Sequence, residues 1–235
     1  MFESFVKNPP KDIDILLMEG SSLGRLNNQE NFEKEEDLEH KIADVLNNTK
    51  GMTFIQMSSQ NFDRIVSVYR ACKKSGKILV MSGYTGLMLK VTENPNLPNF
   101  TWKDVKKIEV EAIKKHHITV EEINKNRSQY VYILGKGYLP LFDKAGLINQ
   151  NASYIYSMWS GYKEKYADVI DKMKEAKAFM VDIHTSGHAD IPTLKRLVDA
   201  LKPKKVVPIH TFYPEEFKNL FENTEIHNDN EQFNI

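Results

Sequence analysis

The chain has 235 residues, with 32 acidic and 32 basic side chains and a formal net charge of zero. That length allows one large domain or two smaller ones around a real core, while the charge balance excludes a basic field over the whole molecule and leaves only a local groove for any nucleic acid. The single cysteine, Cys72, excludes an internal disulfide and a cysteine-based zinc site, and its helical setting in "VYRACKKSG" makes it a core residue.

The opening "MFESFVKNPPKDID" lacks the basic-then-apolar form of a secretion signal. No apolar run approaches the roughly 18 residues of a membrane span, so a soluble, cytoplasmic protein is expected. "IDILLME" (13–19) reads as a strand buried on both faces and ending in Glu19. "NFEKEEDLEHKIADVLNN" (31–48) has helical spacing, with Leu38, Ile42, Val45 and Leu46 on one face. "MTFIQM" (52–57) is a second strand, "SQNFDRIVSVYRACKKSG" (59–76) a capped helix closed by Gly76, and "KILVM" (77–81) a third strand. Strand, helix and strand in alternation argue for a parallel sheet with crossover helices.

A Pro/Asn-rich loop (92–100) follows, and the polar stretch 101–126 reads as helical in two pieces. His116 and His117 fall there, with no acid or histidine at ligand spacing, as surface residues. Strands are expected at 129–134 and 153–158, with a short helix over 137–147 between them. The helix 162–176 then leads into "AFMVDIH" (178–184), and a helix at 191–203, a strand at 205–210 and a helix at 213–221 end the chain.

Chemistry-bearing residues gather where strands end, as ligands do in parallel α/β sheets. In "DIHTSGHAD" the backbone amides of Ser186 and Gly187 can face an anion, with His184 and His188 beside them. Asp190 reads as a helix N-cap. His210 ends an apolar strand and could ligate metal, yet one histidine makes no site, since catalytic zinc takes three protein ligands. Glu19 either bonds nearby amides or orients a histidine. Arg25 either binds phosphate or is a solvated surface residue. Ser58 and Ser59 in "SSQNFDR" form either a polar shelf for a nucleic-acid backbone or part of a helix cap, with Ser59 or Asn61 as the cap. "YIYSMWSGY" (154–162) could stack bases, although an alternating aromatic strand is more often core.

Three stretches together resemble the β-CASP branch of the metallo-β-lactamase-fold nucleases, which includes ribonuclease J and the endonuclease of mRNA 3′-end processing. "DIDILLMEGSSLGR" is similar to motif A, "HTSGHAD" to motif B and "PKKVVPIH" to motif C; "FIQMSSQNFDRIVSVYRACKKSGKILVM" resembles the opening of the inserted β-CASP domain. The resemblance implies an α/β fold: a parallel-sheet, Rossmann-like β-CASP domain plus the C-terminal portion of a metallo-β-lactamase αββα core. Residues 1–25 would be the core strand with motif A, 26–176 the β-CASP domain, and 177–235 the returning core with motifs B and C. It further implies that Glu19 orients His188, that His188 protonates the leaving oxygen or binds the scissile phosphate, and that His210 helps complete a two-zinc site. His184, Ser186 and Gly187 would form a phosphate-binding turn. A motif C histidine goes with RNA-processing members, so His210 favours RNA.

The family holds most of its metal through an H-x-H-x-D-H motif, a further histidine and an aspartate, all before motif A, and no such residues occur here. The expectation is therefore a portion of a metal-dependent RNA nuclease that binds little or no zinc and is inactive alone. Its apolar core strands would be completed by the missing N-terminal half or by self-association. Two rivals stand beside it: a non-catalytic RNA-binding or dimerisation module, and an α/β domain binding a phosphorylated small molecule. The absence of a glycine-rich nucleotide fingerprint weighs against the last.

Overall fold

The apolar runs become strands and the periodic stretches between them become helices. The computed structural model describes residues 2–24, 31–92, 95, 97–98, 100, 105–108 and 118–233. Arg25, His116 and His117, and residues 93, 94, 96 and 99 of the Pro/Asn-rich loop, lie outside them. In chain order the elements are α1 (Phe2–Lys7), β1 (Ile15–Glu19), α2 (Glu35–Asn48), β2 (Thr53–Gln56), α3 (Phe62–Lys74), β3 (Ile78–Ser82), α4 (Gly83–Val91), β4 (Val105–Ile108), α5 (Val120–Lys125), β5 (Tyr130–Ile133), α6 (Leu139–Lys144), β6 (Ser153–Tyr156), α7 (Ala167–Glu175), β7 (Phe179–Asp182), α8 (Ile191–Leu201), β8 (Lys205–Ile209) and α9 (Glu216–Leu220). They divide into two units, one of residues 1–32 with 186–235 and the other of residues 33–185.

The unit 33–185 is built on a six-stranded parallel sheet in the order β4-β3-β5-β2-β6-β7. Side chains alternate across it with the period-two pleat. Ile55, Leu79, Met81, Val131, Ile133 and Ile155 pack on one face against Leu38, Ile42 and Leu46 of α2 and Ile65, Val68 and Cys72 of α3. Phe54, Val80, Tyr132 and Tyr154 pack on the other against Ile123, Phe142, Val169 and Met173. Helices on both faces are what a parallel sheet requires. Burial pushes the Cys72 thiol far above its usual range, in keeping with an inert core residue.

Two expectations are corrected here. Part of the stretch read as helical, Val105–Ile108, is β4, paired in parallel with β3. Four residues at a sheet edge are too short to show a period, so pairing rather than local propensity decides them. The strand Phe179–Asp182, grouped by sequence with the returning core, is instead hydrogen-bonded along β6, and this unit runs to Thr185.

The other unit holds a two-stranded parallel sheet, β1 with β8, in the register Glu19 opposite Ile209. Met18 and Val206 pack with Ile191, Leu194, Phe217 and Phe221, so α8 and α9 supply the core. Asp190 caps α8 through its carboxylate, which accepts the Thr193 N–H at 2.9 Å. β1 is not buried on both faces as its composition suggests: Leu17 is 55% exposed, and Ile209 on β8 is 45% exposed. Both point away from the face that α8 and α9 cover, because alternate residues of a strand face opposite ways.

Candidate active site

The register of β1 and β8 sets the ends of the two strands side by side, so Glu19 and His210 are neighbours. The turn before α8 is tied to them: the Ala189 N–H donates to Glu19 Oε1 at 3.0 Å. The Ser21 N–H donates to Glu19 Oε2 at 3.0 Å, and His188 Nδ1 lies 3.2 Å from the same oxygen. A carboxylate accepts only, so Nδ1 carries the proton toward Glu19 and Nε2 is left facing away. The Glu19 and His188 side chains are 27% and 38% exposed, so the pair sits at the surface with one side toward solvent. Burial raises the Glu19 carboxyl, but hydrogen bonds from Ser21 and Ala189 and the charge of His188 outweigh it and hold it below its usual range.

His210 is fixed by a residue the sequence reading did not single out. The Ser21 hydroxyl donates to the His210 carbonyl at 3.1 Å and lies 3.2 Å from His210 Nδ1. One hydroxyl has one proton, so with that proton on the carbonyl, Nδ1–H is the donor and the Nε2 lone pair is free. His210 has φ +49°, in the left-handed region that costs a non-glycine residue on the order of 1 kcal/mol, and the Ser21 clasp helps hold it there. Gly20 leaves room for the buried Phe217 ring, which would stand 2.3 Å from any Cβ at that position. The rings of His188 and His210 are 5.3 Å apart, and donor atoms of Glu19, His188 and His210 all lie within 4.8 Å of one another.

These three are the one such donor cluster among the described residues. Glu19 is already engaged by two amides and an imidazole, so the cluster offers two free Nε2 atoms and little more. That does not satisfy a catalytic zinc, still less two. Ser186 Oγ accepts the His188 N–H at 3.2 Å and so shapes the turn. Gly187 is not left-handed, and the space beside its Cα is open.

His184 sits in the unit 33–185, near the buried Arg64. Arg64 is fully buried and bonds Glu35 through Nε and Nη2 at 2.9 Å each; it also bonds the Ser157 hydroxyl and, at 3.5 Å, the Ile183 carbonyl. Burial first, and then the Arg64 charge, push the His184 imidazole below its usual range, and its Nδ1 is buried without a hydrogen-bond partner. At the end of β2, Ser58 Oγ accepts the Gln60 N–H at 3.2 Å, and Ser59 pairs with Thr85 at 2.8 Å. Asn61, not Ser59, caps α3 through the Arg64 N–H at 3.1 Å.

Residues 174–229 match a family model described as the Zn-dependent metallo-hydrolase RNA specificity domain, and that span includes His184, Ser186, Gly187, His188 and His210. Among curated proteins the chain is similar to Ribonuclease J2 of Bacillus subtilis (strain 168), at 23% identity over 190 residues, 74% of this chain and 32% of that protein. Among solved structures it resembles a protein of unknown function from Enterococcus faecalis V583, with a TM-score of 0.69 and 19% identity, covering 96% of this chain and 52% of that one. The chain thus spans about a third of the length of the curated relative and about half of that solved chain. The α/β fold with its parallel sheets, the matched specificity domain and the ribonuclease relative together support a β-CASP, ribonuclease J-like chain.

Proposed function

We propose that this chain is the RNA-holding and proton-transferring portion of a zinc-dependent RNA-processing nuclease. The observation that carries the reading is the Glu19–His188 pair beside His210, with both histidines inside the segment that matches the metallo-hydrolase family model. The bound zinc of a complete site would supply Lewis acidity and an activated water, and His210 Nε2 would be this chain's contribution to holding it.

The remaining steps belong to this chain's own residues. Glu19 holds Nδ1–H of His188 and aims Nε2 outward. His188 enters the step as imidazolium, protonated at Nε2 as well as at Nδ1. The Nε2 proton passes to the leaving oxygen as the phosphorus–oxygen ester bond breaks and the water oxygen joins phosphorus; a proton lost by that water then restores Nε2–H. Ser186 and Gly187 would meet phosphate beside His188, and His184, Ser58, Ser59 and Arg25 are further candidates for contact with RNA. With two free imidazoles and no further donors in the cluster, the chain alone holds little zinc and does not cut. A cytoplasmic setting belongs to the same reading; no helix among the described residues is long and apolar enough to cross a membrane.

Elemental analysis of the purified chain, beside cleavage of a labelled single-stranded RNA with added Zn²⁺ or Mn²⁺, is the direct test. The expected result is well under one zinc per chain and no cleavage, with RNA bound at low salt whether or not chelator is present. Two zinc ions per chain, or cleavage lost in His210→Ala, would show that the ligand assignment is wrong.

The exposed Leu17 and Ile209 support a partner over that face of the β1–β8 sheet, either a second copy or a chain bearing the other core strands. Sedimentation should then show association that weakens in Leu17→Asp. A monomer at all concentrations, with no change in the variant, would remove the second copy from this reading.

A further inference from the structure

The stretch "MWSGYKEKY" after β6 does something the alternating aromatics before it do not. Tyr154 and Tyr156 are buried in the core, but Trp159 is 48% exposed and Tyr162 is 49% exposed. Their rings meet edge to face, 5.3 Å apart at 89°. The pair is held open rather than left loose. The Trp159 carbonyl accepts both the Tyr156 hydroxyl, reaching up from β6, and the Tyr162 N–H, each at 3.0 Å. The indole lies across Gly161 so closely that a Cβ there would stand 2.3 Å from the ring, so glycine is required for this seat. An exposed indole normally lowers its free energy by folding onto apolar neighbours; this one is braced with much of its surface in solvent.

Its place in the sheet decides what it faces. Gln56 of β2 is paired with Tyr156 of β6, and the Ser157 N–H continues the ladder onto the Gln56 carbonyl at 2.9 Å. Adjacent strands are about 4.8 Å apart, so the Ser58–Gln60 turn that follows β2 emerges beside Met158 and Trp159. Ser58 and Gln60 are exposed. Lys163, one residue past Tyr162, stands over the Tyr156 ring at 5.3 Å and pairs with Asp182. Tyr84, at the start of α4 after β3, is a third exposed aromatic on the same carboxyl-end edge, 56% exposed. An aromatic face, neutral hydrogen-bonding groups one strand away and a nearby ammonium are the parts from which single-stranded nucleic-acid sites are made.

We infer that Trp159, braced by Tyr162 and Gly161, is a stacking platform for an unpaired base of single-stranded RNA, with the Ser58–Gln60 turn beside it for the backbone. The platform rests on the RNA reading proposed above. It takes any base, because stacking uses the π-face and not the hydrogen-bonding edge. It does no chemistry; it sets where along the strand the RNA is held.

The test is binding of a labelled single-stranded oligoribonucleotide to the full chain at low salt, by anisotropy. Trp159→Ala is expected to weaken binding at least about fivefold with the salt dependence unchanged, and Trp159→Phe to restore most of it. The chain has two tryptophans, so Trp102→Phe leaves Trp159 as the reporter. Its emission should be quenched by the oligonucleotide and not by the same backbone lacking bases. Wild-type chain that binds RNA while Trp159→Ala binds equally, with no base-dependent quenching, overturns the platform alone and leaves the pair as a contact for protein. Wild-type chain that binds no RNA overturns both the platform and the reading beneath it.

Discussion

Replacing Arg64 with methionine is expected to lower the unfolding free energy by about 3 kcal/mol or more. The guanidinium is fully buried and is shared among Glu35, the Ser157 hydroxyl and the Ile183 carbonyl. Removing it strands the Glu35 carboxylate, whose remaining partner is the Ser67 hydroxyl at 2.8 Å. The cost comes from that unpaired charge and from the buried Ser157 hydroxyl oxygen left without its guanidinium donor, rather than from lost attraction. The Ile183 carbonyl keeps the Ser157 hydroxyl at 2.6 Å. The Glu35 side chain is 33% exposed, so water can reach it and the figure lies toward the lower end of the range for buried pairs.

The pH dependence follows with a definite sign. Burial raises the Glu35 carboxyl, but Arg64, Ser67 and His184 outweigh it and hold it below the ordinary 4.5. A depressed carboxylate contributes stability that is present above the unfolded value and is lost as pH falls through the folded one. The deficit of Arg64→Met should therefore be full at pH 7 and shrink as pH drops below about 4.5. Urea unfolding of both proteins at pH 7 and in the acid range measures this; a deficit that is constant with pH would mean that packing, not the ion pair, is what Arg64 supplies.

Phe142→Ala carries a similar expected loss, about 3–5 kcal/mol, for a different reason. Phe142 is fully buried on α6, a helix of six residues. A helix that short has no stability of its own in water and is held by what it packs against. Here the ring meets Phe54 edge-on at 5.4 Å and Tyr132 at 4.6 Å, anchoring α6 to β2 and β5. Alanine would leave a cavity among rigid rings that cannot collapse to fill it. Phe142→Leu refills most of the volume and should lose no more than about 1.5 kcal/mol. Unfolding midpoints separate the two, and amide exchange at Phe142 and Asp143 should rise far more in the alanine variant. Equal losses from leucine and alanine would put the energy in the aromatic contacts rather than in the filled volume.

Much of the fold was legible because it is local. The runs around Ile15, Phe54 and Leu79 and the face of Leu38, Ile42 and Leu46 announce strands and a helix by period alone, and Asp190 announces the start of α8. Glu19, His188 and His210 could be marked as strand-end residues. Ser21 carried no such signal, since a serine in "EGSSLGR" looks like any turn residue until β1 and β8 are paired and set it against His210. Arg64 likewise reads as a polar position of an amphipathic helix; only the approach of α2 and of the chain after β6 encloses it.

By itself, then, the sequence determined the elements, their α/β alternation and the chemical identity of the strand-end residues. The tertiary structure decided the strand order, the edge places of Val105–Ile108 and Phe179–Asp182, the Ser21–His210 clasp and the exposure of Trp159 beside buried Tyr154 and Tyr156. The physical reason is range: periods and caps are written within a few residues, whereas a hydrogen bond between residues 21 and 210, or an indole seated on Gly161 above a sheet, depends on which strands meet.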